Sequence, residues 1–236
     1  MNRVLKMKRL IFKLTFIALT SLSAINFSYA QSGIGYYVEV ENPVAFVQAL
    51  TVLSESPAAA STNTRTGVSV AVSNGGGAAT HFVSVQGDSL DDIDRLRQTQ
   101  ATSQEFAAFT SAIRNNAIPA GEVVFNSLGV DNGKASAVTS PNAYHWHIHL
   151  LVTDMPAYLE ALEELMEANS GGNVYMHAYQ TFGTGLGGGN LVVVNSANSL
   201  QELLNNNQGY DEFIEGTINI RTPIANGIYQ TITNWD

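Results

Sequence analysis

Three of the five histidines in this 236-residue chain stand at alternate positions between Tyr144 and Val152. Side chains alternate between the two faces of a β-strand, so His145, His147 and His149 would share one face. Neighbouring histidines would then lie about 7 Å apart, which allows two imidazoles to hold one metal ion. The outer two would be about 13 Å apart, too far for one ion to bind all three.

A later candidate strand, 173–181, contributes His177. With His147 and His149 it forms a candidate metal site that leaves one position open for water, a pattern typical of catalytic zinc. Imidazole also binds copper, iron or nickel. The cofactor is therefore unknown: the sequence requires none, but it is compatible with zinc or another histidine-bound divalent metal. The alternatives are a role in organic-ligand binding or proton transfer, and histidines that only hydrogen-bond within a half-buried strand.

Two tyrosines flank His177 on the same strand face. Tyr175 and Tyr179 beside a histidine would suit a pocket for an aromatic ligand. Tyrosine at alternate positions is also common in ordinary sheets, which is the alternative interpretation. The resulting candidate catalytic residues are His147, His149 and Tyr179, and the candidate ligand-binding residues here are His145 and Tyr175.

The elements that must position these residues occur twice in the same order. Each half of the chain reads as β-α-β-β-α-β from its apolar periodicity and turn signals. Phe46 and Tyr158 lie 112 residues apart, as do the glycine turns 75–77 and 187–189, and Ser89 and Ser199 lie 110 apart. This ordered series of matches predicts an internal duplication of about 105 residues.

The predicted fold class is α+β, with tandem ferredoxin-like repeats at 31–131 and 142–236 and a polar linker at 132–141. This element order resembles the dimeric α/β-barrel superfamily, which includes antibiotic-biosynthesis-monooxygenase-like domains. The resemblance implies that the two repeats pack as a barrel within one chain, an intrachain pseudo-dimer. It assigns no catalytic residue, because it rests on element order and duplication. Two independent ferredoxin-like domains are the alternative.

The duplication also identifies the first-half counterpart of the histidine face. Matching Phe46 with Tyr158 places Tyr37 opposite His149, and Tyr37, Glu39 and Glu41 share the equivalent face. If the sheets pair, we expect these three residues to line the barrel interior as further ligand-binding residues. A carboxylate near an imidazole would raise the imidazole pKa and suit acid–base chemistry. The alternative is that the two glutamates lie on a solvated face.

Residues 1–30 have the pattern of a secretory signal peptide: a basic start, an apolar run of about twelve residues, and small residues up to Ala30. A membrane anchor is the alternative, but the run is shorter than the roughly 20 residues that a span needs. We therefore predict a periplasmic or extracellular protein that has no stable membrane insertion after cleavage.

Cleavage after Ala30 would leave six basic against 20 acidic residues, a net charge of −14. Such a surface repels phosphate backbones, so we expect no nucleic-acid partner. The chain contains no cysteine, which rules out thiol nucleophiles and thiolate metal ligands.

Three functions remain open from the sequence, and they leave open whether the protein is an enzyme. The first is an exported protein that binds a small molecule near the histidines. The second is a cofactor-independent oxygenase or isomerase, or a metal-dependent enzyme, on the same scaffold. The third is a structural or interaction protein without an active site.

Overall fold

The computed structural model describes residues 32–182 and 188–235. Its strands are β1 (Ser32–Val40), β2 (Arg65–Ser73), β3 (His81–Gly87), β4 (Ala117–Asp131), β5 (Tyr144–Val152), β6 (Tyr175–Phe182), β7 (Leu191–Ala197) and β8 (Arg221–Trp235). Its α-helices are α1 (Pro43–Ser54), α2 (Pro57–Ala60), α3 (Leu90–Thr102), α4 (Gln104–Ile113), α5 (Met155–Ala168), α6 (Leu200–Asn205) and α7 (Tyr210–Thr217). The predicted signal peptide and the first residue, Gly187, of the predicted second glycine turn lie outside the described residues.

The strands form one closed antiparallel barrel in the order β1-β3-β2-β8-β5-β7-β6-β4. Strands β1 to β4 belong to the first repeat and β5 to β8 to the second. The repeats join where β2 pairs with β8 and where β4 pairs with β6. The predicted α+β class, with two ferredoxin-like repeats packed as an intrachain barrel, is confirmed.

The helix starts repeat along with the strands. Asn42 and Asp154 cap α1 and α5, and each accepts a hydrogen bond from the backbone N–H three residues later. Ser89 and Ser199 cap α3 and α6 in the same way. These caps satisfy backbone donors that a helix leaves unpaired in its first turn, so the duplicated cap residues fix where the helices begin in both repeats.

The helices pack on the outer face of the sheet and form a separate apolar cluster in each repeat. In the first repeat, Ile34 and Val83 of the sheet meet Phe46 of α1. In the second, Leu150 and Met176 of the sheet belong to a larger cluster. Strand residues that alternate with these clusters face the barrel interior instead. None of the helices in the described ranges is long and apolar enough to cross a bilayer.

Candidate functional site in the barrel interior

The barrel interior contains a cavity of about 460 Å³. This volume lies within the range of roughly 300–1,000 Å³ that is typical of small-molecule sites. Side chains from both repeats line it, including Tyr37, Phe82, Phe125, His145, His147, His149, Tyr175, His177 and Tyr179. The structure therefore brings together all four histidines of the second repeat and the three tyrosines that were predicted as site residues.

A tyrosine of the first repeat joins two histidines of the second. The hydroxyl of Tyr37 lies 2.7 Å from Nε2 of His149 and 3.1 Å from Nδ1 of His147. A phenol has one proton, so Tyr37 can donate to one imidazole while it accepts from the N–H of the other. Tyr37 and His149 are counterparts in the duplication, and their side chains meet between the two repeats. The three groups form a continuous hydrogen-bonded chain through which a proton could pass.

His145 is held by hydroxyl groups on the two strands beside β5. Its Nδ1 lies 2.8 Å from Oγ of Ser196 on β7, and its Nε2 lies 2.9 Å from Oγ1 of Thr231 on β8. Both ring nitrogens therefore have protein partners. Because one nitrogen of a neutral imidazole donates and the other accepts, the two hydroxyls together fix the orientation of the ring.

His177 is enclosed by the two tyrosines that flank it. The Tyr175 hydroxyl lies 2.5 Å from its Nδ1, and Ser127 Oγ lies 2.7 Å from its Nε2. The Tyr179 ring stacks on the imidazole, with centroids 4.1 Å apart and planes inclined by 5°. The sequence placed these three side chains on one face, and they form one packed group in the cavity wall.

The predicted metal site of His147, His149 and His177 is not formed. No group of three or more histidine or acidic side chains within residues 32–182 and 188–235 is arranged to hold a metal ion. Both ring nitrogens of His177 are bonded to hydroxyls. The Tyr37 hydroxyl is bonded to both of the other two histidines. The strand spacing was therefore compatible with a metal, but these imidazole nitrogens bond to hydroxyl groups instead.

Burial keeps the histidines of this site uncharged. Desolvation lowers the pKa of His145 and of His149 to about 4. The pKa of His147 falls well below its usual value, first through burial and then through its histidine neighbours. Burial also raises the pKa of Tyr37 well above its usual value. Near neutral pH the hydrogen-bonded chain is therefore made of neutral groups.

Arg65 is the one residue with a charged side chain among the described residues that line the cavity. Its guanidinium group is partly exposed and lies 3.7 Å from the carboxylate of Asp88. An ion pair at this exposure is largely screened by water. The cavity thus presents hydroxyls, imidazoles and aromatic rings, but no concentrated charge.

Glu39 and Glu41 do not line the cavity, and the expectation that they do was wrong. Both are exposed. Glu39 pairs with Ile118 next to the last residue of β1, and Glu41 follows the strand. Alternation does put Glu39 on the same face as Tyr37, but the strand leaves the enclosed part of the barrel after Tyr37. Burial of two carboxylates without partners would also be costly.

Several site residues were missed because their types are ordinary in a sheet. Ser196 and Thr231 hold His145, and Phe82 makes an edge contact with His147 at a centroid distance of 4.6 Å. The usable signal was strand register. Phe82 is the cross-strand partner of Tyr37 on β3, so a correct pairing of β1 with β3 would have placed it in the site.

Comparison with known proteins supports the fold. No protein-family model matches the chain, and the search of curated proteins gives no match. A solved anthrone oxidase-like protein is 11% identical, with a TM-score of 0.58, and the alignment covers 86% of this chain and 91% of that one. A candidate monooxygenase from Lactobacillus acidophilus NCFM is 11% identical, with a TM-score of 0.55 and coverage of 85% and 92%.

A point mutant of chlorite dismutase from Candidatus Nitrospira defluvii is also similar, at 11% identity and a TM-score of 0.52, with coverage of 85% and 90%. At these identities the likeness concerns architecture alone. The chain adopts an α/β-barrel fold like that of these proteins, built from two repeats in one chain, which confirms the architectural resemblance seen in the sequence.

Proposed function

We propose that the barrel interior binds a small, uncharged organic molecule through neutral histidine and tyrosine side chains. The observation that carries this proposal is the Tyr37 hydroxyl held between His147 and His149 in the wall of the barrel cavity. These groups can each exchange a partner for a ligand oxygen, because hydroxyls and neutral imidazoles both donate and accept. The fold does not require histidines on strand β5, since the first repeat builds the matching strand without histidine.

The lining favours a planar aromatic ligand. Phe82, Phe125 and Tyr179 contribute ring surfaces, and aromatic rings pack well on one another face to edge or in offset stacks. A charged ligand would lose hydration in the cavity, where the one charged side chain of the described lining, Arg65, already pairs with Asp88. The hydrogen-bonding groups would then select for a hydroxyl or carbonyl substituent on the ring system.

Titration with 1-naphthol tests this proposal, because it is a neutral aromatic alcohol whose fluorescence reports its surroundings. We expect one saturable site, weaker binding of naphthalene, and still weaker binding of naphthalene-1-sulfonate. The Tyr37→Phe and His149→Gln variants should each weaken 1-naphthol binding by roughly three- to tenfold, the worth of one neutral hydrogen bond.

Tyr144→Phe is the matched control, because Tyr144 lies on β5 but packs against the helix-side cluster. It should bind 1-naphthol as the unmodified protein does. Equal affinity of the sulfonate, or full affinity in both Tyr37→Phe and His149→Gln, would contradict the proposal. Absence of saturable binding would favour a structural or interaction role.

The second candidate function is cofactor-independent oxidation of an aromatic substrate. The hydrogen-bonded chain of His147, Tyr37 and His149 favours it, since a neutral imidazole can accept a proton from a bound acidic C–H or O–H group. Two of the similar structures are described as an anthrone oxidase-like protein and a candidate monooxygenase. In such a reaction anthrone and dioxygen would give anthraquinone and water.

Oxygen uptake with anthrone as the substrate separates this enzyme from a binding protein. We expect turnover above the rate in buffer, reduced by at least about 100-fold when both Tyr37→Phe and His149→Gln are present, because general acid–base catalysis contributes on the order of 10²–10⁴. If oxygen uptake at saturating anthrone is no faster than in buffer, the protein does not oxidise anthrone, and the binding function is favoured.

We further propose that the protein is exported. The basic and apolar pattern of residues 1–30 supports this, although those residues lie outside the described ranges. Mass spectrometry of the protein recovered after expression in a Gram-negative host should give a chain beginning at Gln31 in the periplasm or medium. An uncleaved chain in the cytoplasm would contradict export.

A further inference from the structure

A second cavity, of about 640 Å³, lies in the first repeat between the outer face of the sheet and helices α1, α3 and α4. Its walls are largely apolar and include Phe46, Leu50, Leu53, Val83, Phe106 and Ile113. Most of its lining strand residues point toward the helices and not into the barrel, but Tyr37 and Thr66 border both cavities. A volume of this size is within the range of small-molecule sites.

The second repeat has larger buried side chains at two matched positions. The offset that matches Phe46 with Tyr158 also matches Ser54 with Met166. Met166 is buried in the apolar cluster of the second repeat, whereas Ser54 lines the open cavity of the first. Tyr158 is likewise larger than Phe46, and both are buried. Ser54 therefore leaves space open at a position where the sister repeat has a large buried side chain.

One part of this cavity is polar. Arg97 and Glu122 form an ion pair there, and the Arg97 guanidinium lies 5.9 Å from the centre of the Tyr36 ring. The side chain of Gln100 donates a long, 3.5 Å hydrogen bond to the Tyr36 hydroxyl. Because Glu122 already balances Arg97, an anionic ligand group is not needed here. The Tyr36 hydroxyl still has its own proton to donate, and burial raises its pKa, so it stays protonated.

We propose that this cavity binds a neutral single-chain amphipath, such as a medium-chain alcohol or ketone. The alkyl chain would lie among the apolar residues of α1 and α4, where each buried methylene contributes about 0.8 kcal/mol. The oxygen of the ligand would accept a hydrogen bond from Tyr36. This inference is independent of the ligand proposed for the barrel interior.

Calorimetric titration with octan-1-ol tests the inference. We expect one saturable site, with octanoate binding at least about tenfold more weakly because its charge has no free partner. Ser54→Met copies the sister repeat and should weaken octan-1-ol binding by at least about tenfold by filling the space. Tyr36→Phe should weaken it by roughly three- to tenfold.

Val52→Met is the matched control, because Val52 lies on the same helix but is 74% exposed. It should bind octan-1-ol as the unmodified protein does. Ala59→Leu fills the cavity from α2 and provides a second test if Ser54→Met folds poorly. Val194→Met narrows the barrel interior instead and should leave octan-1-ol binding unchanged.

Three results would overturn the inference. The first is the absence of saturable octan-1-ol binding to the unmodified protein. The second is a change in the wrong cavity: octan-1-ol affinity is unchanged in both Ser54→Met and Ala59→Leu, or it falls in Val194→Met. Either outcome would mean that the alcohol does not bind in the second cavity. The third is octanoate binding as tight as that of octan-1-ol, which would show that the polar end recognises an anion.

Discussion

The two repeats have the same order of strands and the same type of helix caps. They differ in the residues that each places on the helix-side and barrel-side faces of the sheet. The second repeat packs its helices closely and supplies four histidines to the barrel interior. The first repeat leaves a cavity under its helices and supplies aromatic rings, among them Tyr37, to the interior. Matched positions that hold the fold, such as Leu50 and Leu162, have stayed alike.

Some of the positions that have diverged lie at the two cavities. Tyr37 and His149 are counterparts that differ and now bond to each other. Ser54 and Met166 are counterparts that differ and leave one space open and the other filled. A duplicated fold can therefore acquire two distinct sites, because each repeat needs only part of its surface for folding.

The largest expected effect comes from a pair of identical substitutions in the two helix layers. Leu162 and Leu50 are matched leucines, exposed by only 1% and 4%. Leu162→Ala should cost about 4 kcal/mol of unfolding free energy, because a tight core leaves the new cavity unfilled. Leu50→Ala should cost about 2.5 kcal/mol, since Leu50 already borders open space and makes fewer contacts to lose.

Urea denaturation at pH 7.5 measures both free energies. Leu159→Ala on α5 is a useful control. Because Leu159 is only partly buried, this substitution should lower the unfolding free energy by less than Leu162→Ala does. Equal costs for Leu50→Ala and Leu162→Ala would show that the first repeat is as well packed as the second and would weaken the case for its ligand cavity.

The next effect is acid sensitivity that arises mainly from the second repeat. Burial lowers the pKa of His149 to about 4, so the folded state resists protonation that the unfolded chain accepts near pH 6.5. The stability from neutral His149 is therefore full above about pH 6.5 and is lost as the pH falls toward 4. At pH 5 this loss is about 2 kcal/mol for this one residue.

Unfolding free energies at pH 7.5 and pH 5 check this prediction. The decrease between the two pH values should be about 2 kcal/mol smaller in His149→Gln than in the unmodified protein. Tyr144→Phe, on the same strand but with all histidines retained, should show the full decrease. A decrease of unchanged size in His149→Gln would mean that this imidazole is as easily protonated when folded as when unfolded.

Much of the fold was predictable, because local signals and the duplication agree. Strand β5 has the predicted bounds, and matching the repeats identified Tyr37 as the counterpart of His149. It did not predict that the two side chains bond to each other. The sequence pattern predicts a last strand only over 228–233, whereas β8 spans Arg221–Trp235. Pro223 and Gly227 disfavour a strand locally, yet pairing with β5 overrides that preference.

The site was less predictable, because alternation gives the face of a side chain but not its partners. Glu39 has the right face and lies outside the enclosed space. His177 has the right spacing for a ligand, but its nitrogens bond to Tyr175 and Ser127. Which residues meet across the barrel depends on strand order and register between distant segments, and the sequence carries little local signal for either.

A smaller effect is expected where the two repeats meet. A double-mutant cycle of Tyr37→Phe and His149→Gln should give a coupling energy of about 1 kcal/mol, because each substitution breaks the same hydrogen bond. Urea denaturation of the four proteins at pH 7.5 measures it. The cycle of Tyr158→Phe with His149→Gln is the control and should give coupling near zero, since Tyr158 packs in the helix layer. A coupling energy of zero in the first cycle would mean that the hydrogen bond between Tyr37 and His149 does not stabilise the folded protein.

The smallest effect concerns Glu39 and Glu41, at and just after the end of strand β1, which is the counterpart of the histidine-bearing strand β5. Glu39→Gln and Glu41→Gln should each change the unfolding free energy by less than about 0.5 kcal/mol, because both side chains are exposed. Neither should alter 1-naphthol affinity, in contrast to His149→Gln on the sister strand. A loss of 1-naphthol affinity in Glu39→Gln would mean that this carboxylate does contribute to the ligand site. It would also mean that the first repeat contributes charge, and not only Tyr37 and its aromatic neighbours, to the barrel interior.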